Sequence, residues 1–304
     1  MDRQKVLAIV GPTGIGKTSL SVWLAKQLDG EIISCDSMQV YKKMDIGTAK
    51  VTQEEMQGIH HELIDVQNYD EPYNVKVFQE KCRTAIEDVV KRGKFPILCG
   101  GTGLYLKAAL YDYEFQEEKE DAAYTAYLNS KTNEELVEML EEQDVKALEK
   151  IHPNNRKRLI RALQICHSGT SKSEQEDKQQ HIPLYDVYFL GLDVNREILH
   201  DRINKRVDIM FENGLVKEVE DLFTNPETWE YTSFQGIGYK EFKDYFLKEK
   251  SIDEVKTAIK THSRQYAKRQ YTWFKNQMPV HWFEAQNRDE IYSAVKEWLM
   301  DEDK

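Results

Sequence analysis

Residues 11–18 read Gly11-Pro12-Thr13-Gly14-Ile15-Gly16-Lys17-Thr18, a complete G-x-x-x-x-G-K-[ST] signature. The apolar run Val6 to Val10 before it predicts a buried strand, and the amphipathic stretch Ser19 to Leu28 after it predicts a helix. In this context the backbone N–H groups of the loop surround a polyphosphate at a helix N-terminus, and Lys17 adds a positive charge. The Thr18 hydroxyl is then available to Mg²⁺. The segment predicts a phosphate site but leaves the phosphate compound open.

Further strands and helices alternate along the chain. Strands are predicted over Glu31 to Ser34 and Phe95 to Cys99, with a helix between them over Val75 to Arg92. The pattern repeats with a strand over Tyr185 to Val194 and a helix over Arg196 to Phe211. Alternation of this kind predicts an α/β fold, a parallel sheet of the P-loop NTPase type flanked by helices. His60-His61 is expected in a polar loop.

Side chains that follow predicted strands are candidates for a common site. Asp36 follows one strand, and Thr102, in Gly100-Gly101-Thr102-Gly103, follows another. Because ligands of parallel sheets bind at the carboxyl ends of the strands, we expect the loop 11–18, Asp36 and Thr102 to converge in one pocket.

The composition changes between Glu114 and Glu149, where twelve acidic residues accompany three lysines. This change predicts an inserted α-helical subdomain over residues 114–183, between core segments 1–113 and 184–304. A basic helix within it is expected to start at Pro153 and to end near Gly169.

The overall composition limits the location of the protein. No apolar stretch approaches the roughly 18 residues of a membrane span, and no secretion signal precedes the first strand. The four cysteines are far apart and form no C-x-x-C pair, which argues against a zinc site and a disulfide framework. We expect a cytoplasmic protein that acts as a monomer, without contact with a membrane.

The net charge of −11 counts against a nucleic-acid partner, but the charge is unevenly distributed. A long helix is predicted over Asp253 to Gln277, with no acidic residue after Glu254. Basic residues recur along one face of it at helical spacing, namely Lys260, Arg264, Lys268 and Lys275. Such a face either follows a phosphate backbone or is simply solvated.

Asp36 admits three interpretations from sequence: a magnesium ligand, a general base, or a residue that only caps a turn. A strand of the Walker B type, apolar residues ending in Asp, is absent, which disfavours an energy-coupled ATPase. Arg202 and Arg206, four residues apart on a predicted helix, are either a diphosphate clamp or solvated charges. The histidines show no metal-ligand spacing, so Mg²⁺ is the one metal expected.

Several segments, in order along nearly the whole chain, resemble the bacterial tRNA dimethylallyltransferases. They are the loop 11–18, Asp36 to Tyr41, Met44 to Lys50, Gly100 to Tyr105, His152 to Asn154, Arg158 to Leu163, Gly236 to Tyr239 and Arg264 to Phe274. The combination of D-S-x-Q-x-Y with M-D-I-G-T-A-K is much narrower than a phosphate loop alone.

The resemblance implies that the loop binds the diphosphate of dimethylallyl diphosphate and that the acceptor is N6 of the adenosine beside the anticodon. It implies catalytic roles for Asp36 as base and for Thr102. The negative charge that develops on the departing diphosphate adds a catalytic role for Lys17, a magnesium contact at Thr18, and diphosphate contacts from residues 11–18 and Arg206. The resemblance further implies tRNA contacts at Asp36, Ser37, Met38, Gln39, Thr102, Lys157, Arg158, Leu159, Ile160, Arg161, Gln235, Gly236, Ile237, Gly238, Tyr239 and Lys240. The basic face of the C-terminal helix adds expected tRNA contacts at Arg264 and Lys268. Arginines expected near Tyr124 and Gln235 are missing here, which leaves the contacts at those places open.

Other functions compete with this interpretation. An adenylate isopentenyltransferase would need neither the insertion nor the basic helix. A small-molecule kinase would need a lid over ATP, and a non-catalytic RNA-binding protein would not need Lys17, Thr18 and Asp36 intact. The sequence leaves open the tRNA subset that is modified.

Overall fold

The structure, a computed structural model, describes residues 3–115, 121–174 and 181–301. The chain divides into two compact units, Met1–Tyr111 with Pro183–Lys304, and Asp112–Ile182. These boundaries lie one or two residues before those expected from composition. The chain leaves and rejoins the first unit at one point, because Leu184 N–H donates to the Leu110 carbonyl at 2.9 Å and Tyr111 bridges to Pro183.

The first unit contains a parallel six-stranded sheet in the order β3-β2-β4-β1-β5-β6. The strands are β1 Lys5–Val10, β2 Gly30–Ser34, β3 His61–Glu62, β4 Phe95–Gly100, β5 Asp186–Asp193 and β6 His281–Glu284. The predicted fold class is confirmed. Two details differ: His61 lies in the edge strand β3, where it pairs with Ile32, and not in a loop, and β6 extends the other edge without having been predicted.

Helices cover the sheet on both faces. They are α1 Lys17–Leu28, α2 Gln53–Met56, α3 Val75–Lys91, α4 Gly103–Leu110, α8 Arg196–Glu212, α9 Leu215–Leu222, α10 Lys243–Phe246, α11 Ile252–Gln277 and α12 Arg288–Met300, with 3₁₀ turns at Pro226–Glu230, Thr232–Gln235 and Lys240–Phe242. Separate apolar clusters pack on the two faces of the sheet. None of the helices in the described parts of the chain is both long and apolar enough to cross a membrane.

The register of the central strands places three loops at one level. Ser34 lies beside Cys99, and Cys99 lies beside Ile9. Two residues beyond each of these positions the chain reaches Asp36, Gly101 and Gly11. The expected convergence at the carboxyl edge of the sheet therefore occurs.

The second unit is helical, with α5 Ala122–Asn129, α6 Asn133–Leu148 and α7 Arg156–His167. It has its own apolar core. The expected start of α7 at Pro153 is wrong: the helix begins at Arg156, because the Asn155 side chain caps it by accepting from Arg158 N–H. Residues 116–120 and 175–180 of the expected insertion lie outside the described residues.

Candidate active site

The phosphate loop connects β1 to α1. Its last glycine, Gly16, caps α1 with φ 105°, a left-handed conformation that a side chain would strain. The Lys17 ammonium donates to the carbonyls of Gly11 and Pro12, both at 2.9 Å. Burial lowers the pKa of Lys17 to about 8, although nearby Cys99 and Asp36 act in the opposite direction.

Two cavities meet beside this loop. The loop cavity, of about 620 Å³, is lined by Thr13, Gly14, Gly16, Lys17 and Thr18 among others. The adjoining cavity, of about 450 Å³, is lined by none of the loop residues except Thr13. The residues common to both are Thr13, Asp36, Thr48, Arg206, Met210 and Tyr266. The one pocket expected from the sequence is therefore two neighbouring compartments, with polar groups at their junction and Thr102 in the adjoining cavity.

Asp36 lies at this junction, and its two carboxylate oxygens have different surroundings. Oδ1 accepts hydrogen bonds from the backbone N–H groups of Met38 at 2.8 Å and Gln39 at 3.3 Å. Among the described residues, Oδ2 has no hydrogen-bond partner. One oxygen thus caps the turn, as one sequence interpretation held, while the other remains available to a ligand in the cavities.

The structure distinguishes the two candidate arginines of α8. Arg206 lines both cavities and donates to the Thr13 hydroxyl and to the Ala49 carbonyl, each at 3.2 Å. Burial lowers the pKa of Arg206, and Asp36 raises it. Arg202 is exposed, lines neither cavity, and contacts the loop only through the Ile15 carbonyl at 3.4 Å. Only Arg206 is placed to contact a ligand there.

The glycines after β4 allow helix α11 to approach closely. A Cβ on Gly101 would lie 2.1 Å from Gln270 Nε2, and one on Gly103 would lie 2.0 Å from the Trp273 ring. Thr102 lines the adjoining cavity between them, near the Tyr266 hydroxyl. Cys99 occupies the position near the end of β4 where a Walker B strand has its carboxylate. It lines the loop cavity, and burial raises the pKa of its thiol.

Gln270 connects the two loops. Its Oε1 accepts from Thr13 N–H and its Nε2 donates to the Gly101 carbonyl, both at 2.9 Å. Sequence analysis assigned no site role to Gln270, nor to Tyr266 and Tyr73, which line the adjoining cavity. The available signal was a glutamine on the apolar face of α11, between Ala267 and Phe274.

A second set of predicted residues forms another wall of the adjoining cavity. Ser37, Met38, Gln235, Gly236, Ile237 and Lys240 all line it. Gly238 and Tyr239 lie behind this wall. Tyr239 is fully buried and donates to Glu218, whose carboxylate also accepts from the N–H groups of Asp45, Ile46 and Gly47. The Tyr239 side chain thus supports the wall and faces no solvent.

The predicted basic face of α11 has two parts, one whose side chains bind α8 and one whose side chains are exposed. Lys260 pairs with Asp208 at 2.7 Å, and Arg264 donates to Asn204 Oδ1 at 2.5 Å, so both contact α8. Lys268 and its neighbour Arg269 are exposed, and Arg269 lines the adjoining cavity.

In the second unit, Lys157, Arg158 and Arg161 are exposed on α7. Leu159 is fully buried in the core of that unit, and Ile160 is half-buried against it. A contact of Leu159 with RNA could therefore involve only its backbone. Gln39 lines the loop cavity, where its Nε2 donates to the Ala49 carbonyl at 3.2 Å.

Comparison with known proteins gives consistent matches. The family model described as IPP transferase matches residues 39–277. A tRNA dimethylallyltransferase of Bacillus anthracis is 50% identical over 301 residues, which covers 97% of this chain and 96% of that protein. The full-length tRNA isopentenylpyrophosphate transferase of Bacillus halodurans is 41% identical with a TM-score of 0.75, covering 98% of this chain and 97% of that one.

A solved eukaryotic dimethylallyltransferase acting on tRNA is 32% identical, with a TM-score of 0.83 over 98% of this chain and 79% of that chain. These matches confirm the resemblance found in the sequence motifs. The chain belongs to the IPP transferase family.

Proposed function

We propose that this protein transfers the dimethylallyl group of dimethylallyl diphosphate to N6 of the adenosine beside the anticodon of a tRNA, position 37, and releases diphosphate. Family membership and the names of the relatives support dimethylallyl transfer to tRNA. The observation that carries the proposal is the position of Asp36, a carboxylate with one unbonded oxygen between a phosphate-loop cavity and a second cavity.

The diphosphate belongs in the loop cavity. Loop N–H groups and Lys17 are donors to its oxygens, and Arg206 is a further cation that lines the same space. Breaking the allylic C–O bond leaves positive charge on the dimethylallyl carbon and additional negative charge on the departing diphosphate. These donors stabilise that negative charge as it develops.

The adenine belongs in the adjoining cavity. Its exocyclic amine is a weak nucleophile because the lone pair is delocalised into the ring. Oδ2 of Asp36 accepts a hydrogen bond from this amine and then its proton as the new C–N bond forms, whereas Oδ1 stays on the backbone of the 36–39 turn. Thr102 is a further polar contact for the nucleoside in this cavity.

The residues of the loop cavity fit a magnesium ion. Mg²⁺ prefers hard oxygen ligands and binds through one or two protein groups together with phosphate oxygens. The exposed Thr18 supplies a hydroxyl oxygen of this kind along the cavity, beside the place proposed for the diphosphate. When bound, the ion would offset charge on the diphosphate.

The RNA must expose the target base, since a base stacked in the anticodon loop cannot enter a cavity. Arg269 offers positive charge at the adjoining cavity, Lys268 is an exposed neighbour of it in the chain, and α7 offers Lys157, Arg158 and Arg161 on the second unit.

The test uses isotope-labelled dimethylallyl diphosphate and an unmodified anticodon stem-loop with adenosine at position 37. Label should enter the RNA, and nuclease digestion with mass spectrometry should find it on N6 of that nucleoside. A matched stem-loop with purine riboside at position 37, which lacks the amine, should accept no label.

Two further samples replace one substrate each. Free AMP in place of RNA tests the nucleotide-modifying alternative, and ATP in place of the prenyl donor tests the kinase alternative. Prenylation of AMP with no label in RNA, or RNA-stimulated phosphoryl transfer, would overturn the proposal.

A further inference from the structure

The junction of the two cavities must also hold the dimethylallyl group. In the proposed reaction the first carbon of this group is bonded to a diphosphate oxygen in the loop cavity and is attacked by the adenine amine from the adjoining cavity. The other carbons are attached to that carbon, so the group begins at the junction, beside Asp36. It has no atom that donates or accepts a hydrogen bond, so its favourable contacts with the protein are apolar.

Most residues at this junction are polar. Of the six described residues that line both cavities, five carry a side-chain oxygen or nitrogen, namely Thr13, Asp36, Thr48, Arg206 and Tyr266. The sixth is Met210, whose side chain is apolar, flexible and polarisable. Met210 is half-buried against the apolar cluster on one face of the sheet, so part of it remains accessible to a ligand.

Helix α8 directs Met210 toward both cavities. The α8 residues that line the adjoining cavity are Ile203, Arg206, Val207 and Met210, and those that line the loop cavity are Arg206, Ile209, Met210 and Asn213. Each set has the spacing i, i+3, i+4, i+7 of one helix face, and the two faces share only Arg206 and Met210.

The direction of Arg206 fixes the direction of this shared edge. Its guanidinium reaches the Thr13 hydroxyl of the phosphate loop at 3.2 Å. Met210 lies one turn further along the same side of α8. Long side chains in helices lean toward the helix N-terminus, which for Met210 is the direction of Arg206. The Met210 side chain therefore lies on the side of α8 that faces the junction.

We propose that the Met210 side chain packs against the dimethylallyl group and makes the site selective for a short prenyl donor. This inference rests on the proposed function. In it, Arg206 contacts the diphosphate and Met210, one turn away, contacts the group attached to it. With the diphosphate and the adenine in the two cavities, the additional isoprene unit of a longer donor needs room at the junction, and Met210 occupies that room.

The first test is Met210→Ala, measured by calorimetry with two ligands. We expect the Kd for dimethylallyl diphosphate to rise about 10-fold, because the prenyl group loses an apolar contact. The Kd for inorganic diphosphate, which has no prenyl group, should stay within about 2-fold of the wild-type value. An unchanged diphosphate affinity also shows that the phosphate loop of the variant is folded.

Two further variants are controls. Met210→Leu keeps an apolar side chain of similar volume and should hold the Kd for dimethylallyl diphosphate within about 3-fold of the wild-type value. Ile198→Ala removes an apolar side chain from the same helix, but Ile198 is 48% exposed and lines neither cavity. This variant should change neither affinity.

The second test measures donor preference, with dimethylallyl diphosphate and geranyl diphosphate competing for the anticodon stem-loop. Met210→Ala should raise the ratio of kcat/KM for the geranyl donor to that for the dimethylallyl donor about 10-fold or more. Equal changes in the Kd values of the two ligands of the first test, or an unchanged donor preference, would overturn this inference alone. No prenylation of the stem-loop by the wild-type protein would overturn the proposed function and this inference with it.

Discussion

At the scale of single residues, Asp36 combines a structural and a chemical role in one carboxylate. Because Oδ1 holds the turn, Asp36→Ala would change both roles, but Asp36→Asn retains an acceptor oxygen for Met38 and Gln39 N–H. We expect Asp36→Asn to keep Tm and the affinities for both substrates. Its single-turnover rate should fall about 100-fold or more, the scale of general-base loss. A normal rate in rapid-quench measurements would exclude Asp36 as the base.

Lys17 makes diphosphate binding depend on pH. Its pKa of about 8 in the free protein means that the ammonium loses its proton as pH rises through 8. A bound diphosphate favours the protonated form, so affinity is highest below pH 8 and decreases above it, by up to about 10-fold per pH unit. Calorimetric titration with dimethylallyl diphosphate between pH 7 and pH 9.5 measures this slope.

Lys17→Arg is the control for the pH dependence, since a guanidinium remains charged throughout this range. The affinity of this variant for dimethylallyl diphosphate, whatever its value at lower pH, should not decrease above pH 8. The same slope in both proteins would assign the titration to another group.

At the scale of elements, α11 holds the phosphate loop in position through Gln270. Gln270→Ala leaves Thr13 N–H and the Gly101 carbonyl without their partner, which costs roughly 1–3 kcal/mol for each group that stays buried. We expect a lower Tm and about 10-fold weaker dimethylallyl diphosphate binding. Thr272→Ala, on the exposed face of the same helix, should change neither. Unchanged diphosphate affinity in Gln270→Ala would show that the loop keeps its conformation without α11.

The divided basic face of α11 changes which residues should affect RNA binding. Lys268→Ala with Arg269→Ala removes two exposed charges and should reduce the slope of log K against log salt for tRNA by about 1–2. Lys260→Ala should leave the slope unchanged, because its charge is already paired with Asp208. Filter binding over a salt series measures both, and equal slopes in the two variants would place the RNA contacts elsewhere.

At the scale of the whole molecule, the two units have separate apolar cores. The core of the second unit contains only residues between Tyr124 and Cys166, and Tyr111 and Pro183 are adjacent where the insertion begins and ends. Replacing residues 112–182 by a short glycine-serine linker should therefore leave a folded first unit, since closing a short loop costs little.

This shortened chain should bind dimethylallyl diphosphate with a Kd within about 2-fold of that of the full chain. Its tRNA affinity should fall about 10-fold or more, because the phosphate contacts offered by Lys157 and Arg158 are removed. Calorimetry and filter binding measure the two affinities. Loss of diphosphate binding would mean that the first unit needs the second to fold.

The sequence by itself determined those features that depend only on residues close together in the chain. Short segments encode local conformation and periodicity. From these follow the phosphate loop, the strands that precede Asp36 and Thr102, and the α/β class. Pro153 shows the limit even there, because the Asn155 cap and not the proline starts α7.

Tertiary structure alone decided which side chains face the cavities. Gln270 reaches Thr13 across 257 positions, and Arg206, but not Arg202, lies at the junction with Asp36. The position of Met210 between the two cavities is also invisible in sequence, since it depends on how α8 packs beside the phosphate loop. A hydrogen bond or a burial between distant segments is set by packing, and packing leaves no local pattern along the chain.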